Sequence, residues 1–186
     1  KAPRTARTSN PRFHSKNRKA SSPPKINSSG TIKNPPLTPD EVKNQYISSL
    51  TRYEIEEISI YDEIYFLGHK SSKIKSLTSH STNHGYDDIN HHYKANVGDQ
   101  IAYRFEIRAV LGKGAFGQVL RCLDHKTKKN VALKMIVNTD QMREQGQIEI
   151  SLLQHLNSAP NHENSCIIQG YDYFIFRNHI CATFEI

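Results

Sequence analysis

"LGKGAFGQVLRC", Leu111 to Cys122, sets three glycines at the spacing G-x-G-x-x-G, with Val119 two residues after the last. That spacing serves two chemistries: a dinucleotide pyrophosphate on a helix N-terminus, or ATP phosphates beneath a hairpin. The dinucleotide site needs a helix to start inside the motif. Here Val119, Leu120, Cys122 and Leu123 surround a lone Arg121, a β-type run that ends in the polar turn "DHKTKKN" (124–130). "VALKMI" (131–136) is a second β-rich run. Before the glycines, "IAYRFEIRAVLG" (101–112) alternates Tyr103, Phe105 and Ile107 with Arg104, Glu106 and Arg108. The predicted order is strand, glycine turn, strand, turn, strand, which is an antiparallel sheet and not βαβ. A Walker-type loop is excluded as well, because no Lys-Ser or Lys-Thr closes the glycine run.

What remains is a glycine-rich lid over ATP. Without side chains at Gly112, Gly114 and Gly117, the backbone approaches phosphates closely and turns its N–H groups toward their charge. Such a lid is expected to be flexible. Its nucleotide-binding residues run from Leu111 through Lys113, Ala115, Phe116 and Gln118 to Val119. Phe116 at the tip caps the phosphates, and Val119 lies on one face of the adenine. Lys134 tests this reading, since a lysine ending an apolar strand needs an anion to offset its burial. The stretch 138–156 reads as the next helix, capped by Thr139 or Asp140. Ile148, Leu152 and Leu156 form its expected core stripe, with Leu153 beside them. Glu149 adjoins that stripe and points inward, so Lys134–Glu149 is the expected ion pair. Gly146 weakens this helix by roughly 1 kcal/mol relative to alanine and leaves it mobile.

The charge distribution narrows the function further. Of the 25 Lys and Arg, nine lie in residues 1–36, which hold none of the 18 Asp and Glu; the remainder is near −2. A basic globular nucleic-acid surface is therefore not indicated. With its Ser, Pro and basic residues, 1–36 cannot bury enough apolar surface to offset its chain entropy and is expected to be a disordered tail. Cys122, Cys166 and Cys181 form no C-x-x-C pair and are expected to be reduced, buried thiols of an intracellular protein, cytoplasmic or nuclear. The adjacent His91-His92 has no partner at zinc-ligand spacing. No apolar run reaches the ~20 residues of a membrane helix. A first residue of Lys rather than Met points to a fragment.

Order is expected from Thr38. "TPDE" and "TRYE" each set a threonine three residues before a glutamate, the capping-box pattern, at Thr38–Glu41 and Thr51–Glu54. Val42, Tyr46 and Leu50 then make one helical stripe, and Ile55 and Ile58 the next apolar face. "IYDEIYFLG" (60–68) reads as a strand, His69 to His84 as a loop, and "GYDD" (85–88) as a turn.

With "GKGAFGQV", "VALK" and the helix glutamate aligned, residues 103–186 resemble the N-lobe of a eukaryotic protein kinase. "FRNHICATFEI" (176–186) looks like its fifth strand running into the hinge, Phe184 in the gatekeeper position and Glu185 opening the hinge. The narrower resemblance is to the second class of the dual-specificity tyrosine-regulated kinases. "YDEIYFLG" (61–68) looks like that family's homology box. "LTPDEVKNQYISSLTRYEIEEI" (37–58) and "GYDD" look like its N-terminal accessory region.

The resemblance implies an α+β fold: a five-stranded antiparallel sheet with one helix over 103–186, preceded by a small α/β accessory region over 37–102. It implies an enzyme that phosphorylates serine and threonine in protein substrates and autophosphorylates an activation-loop tyrosine, assisted by the accessory region, with ATP and Mg²⁺ as cofactors. Leu111, Val119 and Ala132 would sandwich adenine, Lys134 would hold the α- and β-phosphates, and Glu149 would hold Lys134. Ile168 would line the pocket behind the nucleotide, and Glu185 would offer its backbone to the adenine edge. The stretch between Gly68 and Gly85, rich in Ser, Thr and Lys, departs from the family pattern. The family's catalytic loop, its D-F-G metal aspartate and its activation-loop tyrosine occur nowhere in the sequence. The expectation is that residues 1–186 alone have no kinase activity, that the metal ligands lie outside them, and that a C-lobe is their natural partner. A pseudokinase or scaffold is the alternative; a nucleic-acid binder acting through the basic tail is a second.

Overall fold

The computed structural model describes residues 30–75, 82–158 and 168–186. Both capping boxes are formed. Thr38 Oγ1 accepts the Glu41 N–H while the Glu41 carboxylate accepts the Thr38 N–H, starting α1, Pro39–Tyr46. Thr51 and Glu54 do the same for α2, Arg52–Glu57. Helices this short are not stable alone, so packing must hold them. Val42 and Tyr46 are buried with Ile58, Ile64 and Leu67, and Leu50 packs against that cluster.

The accessory region departs from the sequence reading in two places. Residues 60–68 form no regular strand: Ile58–Ile60 is a 3-10 turn, and only the isolated bridges Leu37↔Ile64 and Thr31↔Phe66 follow. Their partner stretch contains Pro35 and Pro36, which have no N–H to donate to a ladder. Order also begins before Thr38, since Ile32 is buried in the same cluster as Val42. The rest of the expected tail, residues 1–29, lies outside the described residues.

The sheet has six strands in the order β1-β2-β3-β4-β6-β5, every pair antiparallel: β1 Gln100–Ile101, β2 Phe105–Gly114, β3 Gly117–Asp124, β4 Asn130–Ile136, β5 Gly170–Phe176 and β6 His179–Phe184. The sixth strand was not expected. Ala102 and Tyr103 both take positive φ, break the run 101–112, and fold Ile101 back onto Phe105. One sheet face is buried: Leu120, Cys122, Leu133 and Cys181 pack with Tyr86, Tyr93 and Ile101 of the accessory region. Cys122 and Cys181 are free thiols, pushed up in pKa by that burial; Cys166 lies outside the described residues. No helix among the described residues is long and apolar enough to cross a membrane.

Helix α3, Asp140–Asn157, is capped by Thr139, which accepts the Met142 N–H. Its inward face differs from the expected one. Ile148 and Leu152 are 55% and 59% exposed, and Leu156 is exposed as well. The helix meets the sheet through Gly146, where an added Cβ would stand 2.5 Å from Ile136 Cδ1. The glycine that costs helix propensity thus permits the close approach. Met142, Glu149, Ile150 and Leu153, which lie on Gly146's side of the helix, are partly buried, and the bulkier stripe faces outward.

A buried charge cluster fastens the accessory region to the sheet. Arg177 and Asn178 form the two-residue β5–β6 turn, both at positive φ. The Arg177 guanidinium donates to both Glu57 carboxylate oxygens at 2.9 and 2.8 Å and to the Tyr93 hydroxyl at 2.9 Å. It also lies 3.9 Å above the Tyr86 ring centre. Glu54 receives Lys73 at 2.5 Å and stands 3.5 Å from the same guanidinium.

Near this cluster Asp99 is buried and accepts the Gln100 N–H at 2.8 Å. Burial pushes its carboxyl up to about 6, against the opposing pull of that N–H and of Arg177. The native state therefore holds the Asp99 proton over a range, from about pH 4 to pH 6, where the unfolded chain has released it, and stability falls as pH rises through that window. Asp99→Asn keeps an acceptor for Gln100 and removes the buried charge. The variant should be more stable than the parent at pH 7.5 and lose that advantage by pH 4.5, as read by denaturant melts at the two pH values.

Candidate nucleotide site

The face of the sheet opposite the accessory region carries the residues singled out in the sequence. Strand register places Val119 beside Lys134 and Lys134 beside Ala182; one step along, Ala132 lies beside Phe184. Neighbours across an antiparallel pair share a face, so Val119, Ala132, Lys134 and Phe184 line one surface. Phe184 is buried in it.

The lid is the β2–β3 hairpin, which turns at Ala115–Phe116 with Gly114 opposite Gly117. A Cβ at Gly112 or Gly114 would find nothing within 4 Å, so the space against the hairpin is open at both. Gly117 has a different reason to be glycine. Its φ is +146°, and a Cβ there would stand 2.2 Å from the Met135 carbonyl oxygen. Phe116 is exposed at the tip, while its own carbonyl accepts the Val137 N–H at 3.2 Å. Leu111 is exposed at the edge.

The Lys134 ammonium donates to Glu149 Oε1. Their side chains are 27% and 41% exposed, so the pair stands at the open mouth of the surface and not in the core. That accessibility lets an anionic ligand reach the ammonium.

Three expected residues, Lys113, Gln118 and Ile168, sit elsewhere than the expectation had them. Lys113 turns away from the Val119 face and donates to Asp88 Oδ2 at 2.8 Å. Gln118, its cross-strand neighbour, is buried and donates to the Tyr93 carbonyl at 2.8 Å. Ile168 lies just ahead of β5 and is exposed. Glu185 donates its N–H to the Gln169 carbonyl and accepts the Gln169 N–H at 3.0 Å on its side chain, which leaves its carbonyl as the backbone group for a ligand. Sequence reasoning missed the anchors Asp88, Tyr93 and Asn138; only "GYDD" offered a signal, as a turn.

An antiparallel sheet with one helix, a glycine hairpin, and a strand lysine paired to a helix glutamate define the N-lobe of a protein kinase. Residues 105–186 match the protein kinase domain family. Over most of its length the chain is similar to dual-specificity tyrosine-phosphorylation-regulated kinases. It is 41% identical over 162 residues to dual specificity tyrosine-phosphorylation-regulated kinase 2 of Drosophila melanogaster, covering 85% of this chain and 22% of the relative. Against kinase 3 of Homo sapiens it is 41% identical over 151 residues, covering 81% and 26%. Against the DYRK-family kinase pom1 of Schizosaccharomyces pombe it is 42% identical over 153 residues, covering 81% and 14%. The chain thus spans about a quarter or less of the length of these relatives.

Proposed function

We propose that this chain forms the ATP-binding half of a dual-specificity kinase that phosphorylates serine and threonine in protein substrates and a tyrosine of its own activation loop. The observation that carries the reading is the part-exposed Lys134–Glu149 pair, in the cross-strand row that runs from Lys134 through Val119 to Gly112, with open space where Gly112 and Gly114 lack a side chain. The unfilled positions let backbone N–H groups approach phosphate oxygens. Lys134 supplies a fixed positive charge where the α- and β-phosphates lie, and Glu149 aims it. Val119, Ala132 and Leu111 bracket the adenine ring, and the Glu185 carbonyl accepts from its edge. When bound, ATP supplies the transferable phosphoryl group; this half of the site only binds, orients and screens it. Mg²⁺ would accompany the phosphates of ATP; among the described residues no group of three or more His, Cys, Asp or Glu could hold a metal ion. Buried, reduced thiols fit a protein of the cell interior.

An acyl-phosphate derivative of ATP tests the geometry, because it acylates an amine lying beside the phosphates. In a kinase that carries this chain as its N-lobe, labelling is expected at Lys134 and is suppressed by excess ATP. Labelling of other lysines with Lys134 untouched would overturn the reading.

A further inference from the structure

Lys113 and Gln118 form one cross-strand pair of the glycine lid, on the side away from the nucleotide face. Both are held by the same accessory segment. Tyr86 to Lys94 folds back on itself through the bridge Asp87↔Tyr93 and the bond from the Lys94 N–H to the Tyr86 carbonyl. From this small hairpin Asp88 receives Lys113 at 2.8 Å, and the Tyr93 carbonyl receives Gln118 at 2.8 Å. Each strand of the lid is thus pinned once.

The same segment grips the base of α3. Asn138 donates its N–H to the His91 carbonyl at 3.0 Å and its side-chain amide to Asp87 Oδ2 at 2.9 Å. Asn138 in turn accepts Arg143 at 3.0 Å. Asp87 also meets His179 of β6 at 2.8 Å inside the core. One accessory hairpin therefore touches the lid, the start of the helix that carries Glu149, and the sheet.

We infer that the accessory hairpin 86–94 is a splint for the ATP lid, with Asp88 the positioning residue that fixes the lid's height above the nucleotide through Lys113. The inference rests on the nucleotide reading above and adds a regulatory element to it. Asp88 is built for the task. Its Oδ1 accepts the N–H groups of Asn90 and His92 at 2.9 and 3.0 Å, which fixes the carboxylate before Lys113 arrives. Lys113 beside it, helped by these two N–H groups, holds the Asp88 carboxyl down at about 2, so the tether persists through any physiological pH. A glycine lid pinned in this way spends less of its binding free energy on ordering when nucleotide arrives.

The variant Asp88→Asn keeps an oxygen for Asn90 and His92 but removes the charge that holds Lys113. Hydrogen exchange at the amides of residues 112–118 should quicken about fivefold, the upper end for a part-exposed ion pair. Lys113→Met should quicken it equally, and the double variant should be no faster than either single one. In the kinase that carries this chain, KM for ATP should rise by a similar factor while kcat stays near the parent's. The two readings fail separately. Exchange that quickens with an unchanged KM would keep the tether and remove its bearing on nucleotide. Additive effects in the double variant would refute the tether, and a lower KM for Asp88→Asn would show Asp88 competing with ATP for Lys113. If the parent binds no ATP, the nucleotide reading itself falls while the exchange result still stands.

Discussion

Replacing Arg177 by methionine should lower the midpoint of thermal unfolding by about 6–20 °C. The guanidinium is almost wholly buried and serves Glu57 through two parallel bonds, Tyr93 through one, and Glu54 more distantly. Its removal leaves Glu57 in the interior with the Tyr103 hydroxyl but no cation, and Glu54 with Lys73 as its remaining cation. Breaking a buried pair by deleting one partner costs about 3–5 kcal/mol, because the remaining charge stays desolvated. For a chain of this size each 1 kcal/mol corresponds to about 2–4 °C. Arg177→Lys retains the charge but not the planar fork, and should fall between the two. A melt of Arg177→Met within about 3 °C of the parent would show that the cluster does not secure the accessory region. Glu57→Gln added to Arg177→Met should recover part of the loss, since it removes the stranded charge.

Local signals were legible in the sequence, and long-range ones were not. The two capping boxes, the lid hairpin and the Thr139 cap each depend on residues within about four positions of one another, so spacing alone specifies them. The Arg177 cluster joins residues 120 positions apart, and no periodicity announces such a bond. The turn at Ala102–Tyr103 was hidden for another reason. Alternation across 101–112 is a strand pattern, yet the burial of Ile101 and Tyr103 comes from packing against different clusters on either side of a reversal.

Helix α3 shows where apolar counting misleads. Three large aliphatic residues in register look like a core stripe. The distance between helix and sheet decides instead, and at Gly146 that distance leaves no room for a side chain. The expected Lys134–Glu149 pair survived this error because Glu149 lies about 60° around the helix from Gly146 and about 100° from Ile148. Lys134 and Glu149 were therefore identified together even though the stripe used to orient them faces outward. The Asp88–Lys113 pair on the lid was not, since its members are 25 residues apart with a strand between them.

Lys134→Met should separate stability from function, in contrast to Arg177. Both are cations paired with glutamate, but their exposure differs, and exposure decides which quantity each change moves. The Lys134–Glu149 pair is part-exposed on both sides, and such pairs contribute about 0–1 kcal/mol to folding. The melting temperature of Lys134→Met should thus stay within about 4 °C of the parent. Its effect on phosphoryl transfer should be far larger. A fixed donor aimed at developing phosphate charge is worth about 100- to 1000-fold in rate, and methionine offers neither charge nor hydrogen bond. Glu149→Gln should give a smaller loss, because the lysine keeps its charge and loses only its aim. Measured in a kinase that carries this chain as its N-lobe, turnover by Lys134→Met within tenfold of the parent would remove this lysine from the phosphate site. A loss of turnover accompanied by an equally large drop in melting temperature would instead mark Lys134 as structural, and the open mouth beneath the lid would then need another occupant for its charge.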